Sequence, residues 1–296
     1  DEEATYIACI MREHVEDTSN TTPCVLVTPD RILASRVSMQ LQRWGITIDD
    51  SGGTPLANTP IGRWLLLLCD VLANNLEPIT FLSLLKNALA AGGADWPDTA
   101  PAFRNFVRAL DKHILRGPRP EEGFSGLKFR AQKYPDILAG IEALEKIFTQ
   151  DSSDKLRTLI HIAETLATTK TTHGSNRLWS SEAGEAMADM LATLFEQTDI
   201  LPPDLDWQSI RAILDTAMRG ITVRPRYGTH PRLAILGPIE ARLYKSDKMI
   251  LGGLNEGTWP NLPQTDAWMS RGMRQNFGLP APERAITLTA HDFAQG

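Results

Sequence analysis

The chain has 296 residues, enough for one large domain or two of ordinary size. Hydrophobic residues make up 42% and charged residues 22%, a composition that buries a core and excludes wholesale disorder. The 30 basic residues are outnumbered by 36 acidic ones for a net charge of −6, so net charge alone cannot grip nucleic acid. The longest apolar run, Trp64 to Cys69, is far too short for a bilayer, and no membrane contact is expected. The cysteines Cys9, Cys24 and Cys69 form no CxxC pair, and the His residues form no HxxxH or HExxH. Neither a metal site nor a disulfide is therefore expected, and reduced thiols fit a cytoplasmic protein. The sequence begins at Asp1 with no basic-then-apolar leader, as expected of a segment from a longer protein.

In chain order, Glu2 to Val15 predicts a helix with Ala4, Ile7, Ala8, Met11 and Val15 on one side. Cys24-Val25-Leu26-Val27, bounded by turn formers, predicts a buried strand. Thr28-Pro29-Asp30 opens a second helix, with Thr28 as cap and Pro29 at its first position; Leu33, Val37, Leu41 and Trp44 form its inner face and Gly45 ends it. Ile46-Thr47-Ile48 reads as a strand and Asp49 to Gly53 as a turn. Thr59-Pro60 and Pro78 start two more helices, facing inward through Ile61, Trp64, Leu65, Leu68 and Leu72, then Phe81, Leu82, Leu85 and Leu89.

From Gly92 only helical periods occur: Phe103-Phe106-Val107-Leu110, Ile137-Ile141-Leu144-Phe148, Leu156-Leu159-Ile160-Ala163-Leu166, Met187-Met190-Leu191-Leu194 and Trp207-Ile210-Leu214-Ala217. After Gly220, Leu233–Leu236 and Met249–Leu251 return as short buried strands. The expected architecture is α/β: a parallel-sheet domain (1–94 and 221–296) interrupted by an all-helical insertion (95–220).

Two features could carry function. The loop Gly252 to Pro260 leaves a strand at its carboxyl end, where open α/β sheets place ligands, and holds Asn255 and Glu256 between glycines. The competing reading is a tight turn with Trp259 as a plug. Arg104, Arg108, Lys112 and Arg116 recur every fourth residue, and Arg119, Lys128, Arg130 and Lys133 follow. Against Asp111, Glu121 and Glu122 they leave a local net charge of +5. Like charges four apart on a helix repel, so the row is a candidate for phosphate contact or a solvated face whose neighbours supply acids. Arg224, Arg226, Arg232 and Arg242 bracket the late strand, for a similar role or for interdomain pairing. Pro29-Asp30 and Pro135-Asp136 lack the downstream Glu-x-Lys of a nuclease, and neither G-x-S-x-G nor G-x-x-x-x-G-K-[ST] occurs. The chain is not equipped to hydrolyse ATP unaided.

Several of these stretches together resemble a known family. Glu3-Ala4, the strand Cys24–Val27, the helix holding Arg36, Trp44-Gly45-Ile46, Asp49 to Gly53 and Phe81–Leu85 resemble the start of domain 2A of the UvrD/RecB superfamily-1 helicases. Leu233 to Pro260 resembles that family's later block, a strand, a T-x-H-x-x-K-G-L-E element, a strand and an E-G-x-x-P turn. The wording of Val27-Thr28-Pro29-Asp30-Arg31, Arg43-Trp44-Gly45-Ile46, Glu240-Ala241-Arg242-Leu243, Gly252 to Pro260 and His291-Asp292-Phe293-Ala294-Gln295 resembles the AddB family of alphaproteobacterial type. The likeness covers roughly 1–90 and 220–296; the middle matches only by position, as a 2B-like insertion.

The resemblance implies a RecA-like (2A-like) sheet domain in a subunit that processes DNA double-strand ends for homologous recombination with the AddA subunit. It implies ATP and Mg at the level of that complex, with a nuclease domain and an iron–sulfur cluster outside this segment. Where active members carry Thr and His, this chain has Gly237 and Ile239; Arg242 stands for their Lys, and Leu243-Tyr244-Lys245 for Gly-Leu-Glu. Those departures imply a segment without catalytic residues or a cofactor of its own. Arg242, Asn255 and Glu256 are then expected on a DNA-strand or interdomain face, and Arg104, Arg108, Lys112 and Arg116 against duplex DNA. Two alternatives stand beside this: an ATP-coupled half of an active helicase, and a protein–protein scaffold without DNA contact.

Overall fold

The computed structural model describes residues 2–19, 21–94, 96, 100–149, 154–197, 202, 205–224, 228–242, 244–262 and 268–295. The chain opens with α1 (Glu2–Glu16), β1 (Cys24–Val27), α2 (Arg31–Gln42) and β2 (Asp49–Asp50). Next come β3 (Thr54–Pro55), α3 (Pro60–Ala73), α4 (Pro78–Leu85), α5 (Ala100–Leu110), α6 (Gly123–Ala131) and α7 (Pro135–Phe148). Then follow α8 (Lys155–Ala167), α9 (Gly174–Leu178), α10 (Glu182–Glu196), α11 (Trp207–Arg219) and β4 (Thr222–Val223). The chain closes with β5 (Leu233–Leu236), α12 (Pro238–Ala241), β6 (Lys248–Leu251), α13 (Arg271–Asn276) and α14 (Arg284–Gln295). It is a mixed α/β protein, mostly helical, with one four-stranded all-parallel sheet. No helix among the described residues is long and apolar enough to cross a membrane.

Two compact units result: residues 1–53 with 224–296, and residues 54–223. In the first, the sheet order is β2-β5-β1-β6. Cys24–Val27 pairs in register with Leu233–Leu236 on one side and Lys248–Leu251 on the other, so the two ends of the sequence share one sheet. Alternation then sorts the side chains. Cys24, Leu26, Leu233 and Ile235 face α1 and α2, whose Ile7, Met11, Leu33, Val37 and Leu41 complete that core. Val25, Val27 and Ala234 face the other way, against Ala241 and Trp259. Burial on both faces is why β1 reads as an unbroken apolar run. Arg232 closes this unit: its guanidinium donates to the carbonyls of Val15 (2.7 Å), Asp17 (3.1 Å) and His14 (3.4 Å), the unpaired end of α1.

The second unit is built around α3, which buries Ile61, Trp64, Leu65, Leu68, Cys69 and Val71 among α4, α8, α10 and α11. Thr59 caps α3 by accepting from Gly62 N–H, with Pro60 at the first helical position. Gly140 lets α7 approach α5, since a Cβ there would lie 2.2 Å from the Phe106 ring. Arg177 donates to the carbonyls of Leu89 (3.1 Å), Ala88 (3.3 Å) and Ala167, tying the end of α8 to the segment after α4. Where the chain enters and leaves this unit, β3 and β4 pair antiparallel, Thr54 opposite Val223. A closed neck of this kind allows a block to sit in one sheet connection.

Several local expectations are corrected. The expected boundary at 94 gives way to one at 53, because α3 and α4 belong to the helical core rather than to the sheet. The expected strand Ile46–Ile48 is Asp49–Asp50, placed by pairing with Ala234 and Ile235. Asp30, not Thr28, caps α2, accepting from Ile32 and Leu33 N–H, and the helix begins at Arg31. Trp44 lies beyond the helix and is 38% exposed, with the Arg12 guanidinium 4.9 Å from its ring centre. The helices α6, α9, α13 and α14 are not among the expected elements.

Candidate functional site

In an open parallel sheet, ligands bind beyond the carboxyl ends of the strands, where successive connections depart in opposite directions. Here that point lies between β1 and β5: β1 leads past β5 to β2, and β5 leads past β1 to β6. The loops converging there are Thr28–Asp30, Ser51–Gly53, Gly237–Glu240 and the segment after Leu251. The first turn of α2 offers the Ile32 and Leu33 N–H groups, but Asp30 accepts both (2.8 and 3.1 Å). Gly52 N–H donates to Asp50 Oδ1 (3.0 Å), Gly237 N–H to Glu240 Oε2 (2.9 Å) and Gly253 N–H to Glu3 Oε1 (2.8 Å). Thr28 Oγ1 takes Asp30 N–H (3.0 Å).

Arg31, one of the cations at this edge, is committed as well. Arg31 donates to both carboxylate oxygens of Asp50 (3.0 and 2.5 Å) and to the Gly53 carbonyl (3.2 Å). Ser51 Oγ–H donates to Glu240, and together with the Gly237 N–H this holds the Glu240 carboxyl below its ordinary range. A carboxylate so stabilised is a poor general base, so Ser51–Glu240 latches two loops together rather than forming a nucleophile–base pair. The N–H donors named here are therefore occupied by the chain's own carboxylates.

The expected residues on this edge are partly brought together. Asn255 and Glu256 lie exposed in the loop after β6. The Asn255 carbonyl accepts from Thr258 N–H (2.9 Å) and Trp259 N–H (3.0 Å), building the turn that seats Trp259 on the sheet. The loop is thus a tight turn with Trp259 packed on the sheet, and Asn255 and Glu256 stand exposed at its tip. Gly253, at φ +72°, is required there, since a Cβ would approach Thr28 Oγ1 to 3.1 Å. Arg242 is exposed at the end of α12, directly after Ala241, which belongs to the same buried cluster as Trp259 of the loop after β6. Arg226 and Leu243 lie outside the described residues.

The basic row lies on the helical unit, and its expected regularity fails. The α-helix stops at Leu110, residues 111–115 form a π-helical turn, and Arg116 is already in extended backbone. Arg116 turns back to Asp111 (3.1 Å), which also accepts from Lys86 Nζ (2.9 Å); these two cations hold Asp111 below the usual carboxylate range. Arg119 pairs with Glu77 and Glu122, Lys128 with Glu145 (2.8 Å), and Arg130 donates to backbone carbonyls. For these cations the neighbours do supply acceptors. Arg104, Arg108, Lys112 and Lys133 are exposed with no acidic partner among the described residues; Arg108 donates only to Asn105 (3.0 Å). Arg116 is thus removed from the candidate row and Lys133 joins it.

Arg31, Asp50 and Glu240 were not singled out from the sequence, although Gly237-x-x-Glu240 has the spacing of a capping box. The exposed rings of His113, Phe129 and Tyr134 near the basic row were also missed; aromatic residues interleaved with Lys and Arg were the available signal. Cys9 is exposed on α1, while Cys24 and Cys69 lie in the cores of different units, so they do not fit an iron–sulfur cluster. Burial pushes the Cys69 thiol up to about 12. Among the described residues no group of His, Cys, Asp or Glu is placed to hold a metal ion. No protein-family model and no curated protein matches the chain.

Proposed function

We propose that this chain is a non-catalytic, DNA-facing region of an AddB-type subunit: a RecA-like, 2A-like α/β unit with a 2B-like helical insertion, acting beside an AddA-type motor in the processing of DNA double-strand ends. One observation carries the reading. Cys24–Val27 lies between Leu233–Leu236 and Lys248–Leu251 in one parallel sheet, as an interrupted half-motor requires. Had the early and late strands entered different sheets, the resemblance would have no common scaffold. Self-capping of the carboxyl edge supports the absence of a nucleotide site.

In this reading Arg104, Arg108 and Lys112 contact phosphates, and Arg242, Asn255 and Glu256 face a strand or a neighbouring domain. The test combines two titrations of the 296-residue chain. A fluorescent ATP analogue should show no saturable binding; saturable binding abolished by Arg242→Ala would instead favour the ATP-coupled half-motor. DNA affinity should fall with salt, and replacing Arg104, Arg108 or Lys112 by Gln should flatten the log K against log salt slope by about one unit per phosphate contact. An unchanged slope would return the row to a solvated face.

A specific observation also favours a scaffold role. Leu254, Leu262, Trp268, Met273, Phe277 and Leu288, in the segment that follows β6, are all exposed, and Trp268 is 89% exposed. An apolar set of this extent suits burial against a partner subunit. Crosslinking from Trp268 and Phe277 positions to an AddA-type subunit, without crosslinking to DNA, would favour that reading.

A further inference from the structure

The helical unit carries, beside its unpaired cations, aromatic rings that its core does not use. Phe129 on α6 is 74% exposed, and Tyr134, the residue before α7, is 39% exposed. The Tyr134 ring lies 5.0 Å from that of His113, tilted by 34°. Exposed Phe129 and Lys133 are four apart along α6 and the turn after it, and Lys133 directly precedes Tyr134. On the other side of the contact, Lys112 directly precedes His113 on the π-helical turn. The π turn matters because it breaks the 3.6-residue advance of α5, and within it His113 meets the α6–α7 corner. A row of cations and a group of rings therefore adjoin at one corner of the unit.

We propose that this corner, from α5 through the π turn to the start of α7, is a platform for single-stranded nucleic acid. Arg104, Arg108, Lys112 and Lys133 meet the phosphates, while Phe129 and the Tyr134–His113 pair stack on unpaired bases. This deepens the nucleic-acid reading above and rests on it, but changes the expected target from duplex to single strand. Cations alone do not choose between the two, because both present phosphates. Exposed rings do choose: bases inside a duplex are already stacked on one another, whereas a single strand offers each base's face to a ring.

The test measures binding of the whole 296-residue chain to a labelled strand of about 15 nucleotides, to its duplex and to RNA of the same sequence. The single strand should bind more tightly than the duplex. Phe129→Ala and Tyr134→Ala should each weaken single-strand binding by about 10-fold and leave duplex binding unmoved, while Tyr134→Phe retains it. Phe129→Trp should give an emission quenched by the single strand and not by the duplex. Phe129 is exposed, so its variants should melt as the parent does. Duplex binding equal to single-strand binding, or alanine variants that bind as the parent does, would overturn the platform. If the Arg104, Arg108 and Lys112 changes still weaken binding in that case, the nucleic-acid reading survives it; if they too have no effect, both fall. Equal affinity for RNA and DNA supports the platform and counts against a DNA-restricted role.

Discussion

In the α/β unit, charged side chains near the sheet are turned inward on the chain's own backbone. Asp30 accepts N–H groups of the first turn of α2, Asp50, Glu240 and Glu3 accept loop N–H groups, and Arg31 and Arg232 donate to carbonyls. In the helical unit, Arg104, Arg108, Lys112 and Lys133 have no acidic partner among the described residues. The same residue types thus do different work: in both units some of them finish the fold, as Arg232 and Arg177 do, while these four cations of the helical unit are the ones that the proposed function makes available to a polyanion. Net charge reports neither, since it sums over both.

The largest test of this division is a core deletion confined to one unit. Trp64 is fully buried at the centre of the helical core. Trp64→Ala should cost about 3–5 kcal/mol there, read by hydrogen exchange as lost protection within residues 54–223. Amides of β1 and β5 should keep theirs. If they lose protection in the same step, the two units unfold as one and the comparison fails as an energetic statement.

A smaller effect compares the two arginine clamps. Arg177 donates to three carbonyls in the helical unit, and burial lowers its pKa; Arg232 donates to three at the end of α1. Charge-assisted bonds of this kind contribute about 1.5–3 kcal/mol. Arg177→Met should fall at the upper end, because burial desolvates its guanidinium, and Arg232→Met at the lower end, because Asp17 is solvated. Denaturant midpoints of the two variants give the order. A reversed order would mean that the α1 clamp, not the helical one, limits stability.

Much of this architecture was legible from local chemistry. Cys24–Val27 announced itself because a strand buried on both faces has no polar position, and Thr59-Pro60 because a hydroxyl cap followed by proline suits few other conformations. The domain boundary was not legible. The leucines of α3 and α4 would suit a sheet-covering helix or a helical core equally, and only tertiary packing assigns them. Asp49–Asp50 carries no strand propensity; its ladder with Ala234 and Ile235 comes from a segment far along the chain. The π turn was hidden for a related reason. The four-residue spacing from Arg104 to Arg116 fits a continuous helix, and the Arg116–Asp111–Lys86 cluster that accompanies its interruption depends on a residue from the end of α4. Glu240 was legible only as half of a capping pattern whose other partner, Ser51, lies in another loop.

The smallest effect is a pH dependence that should separate the units. His230, in the α/β unit, has its pKa lowered by burial and by the nearby Arg232 guanidinium, and its Nδ1 accepts Arg232 N–H (3.3 Å). The native state therefore favours the neutral ring, while the unfolded chain takes up its proton near pH 6.5, about the ordinary value. The His230 contribution is fully present above about pH 6.5 and is lost as pH falls from there through the lower native pKa. Partial exposure keeps the effect small. In the helical unit the carboxylates with lowered pKa include Glu77, held by Thr80 N–H, Asp111, held by Arg116 and Lys86, and Asp206, held by Ser209. Their contributions are present above the ordinary carboxylate pKa of about 4 and are lost only below it. His230→Gln should therefore flatten the stability of the α/β unit between about pH 5 and 7. It should leave the acid unfolding of the helical unit unchanged. Segment-resolved hydrogen exchange at the two pH values reads both, and a helical unit that responded to the His230 change would show that the charge arrangements are coupled after all.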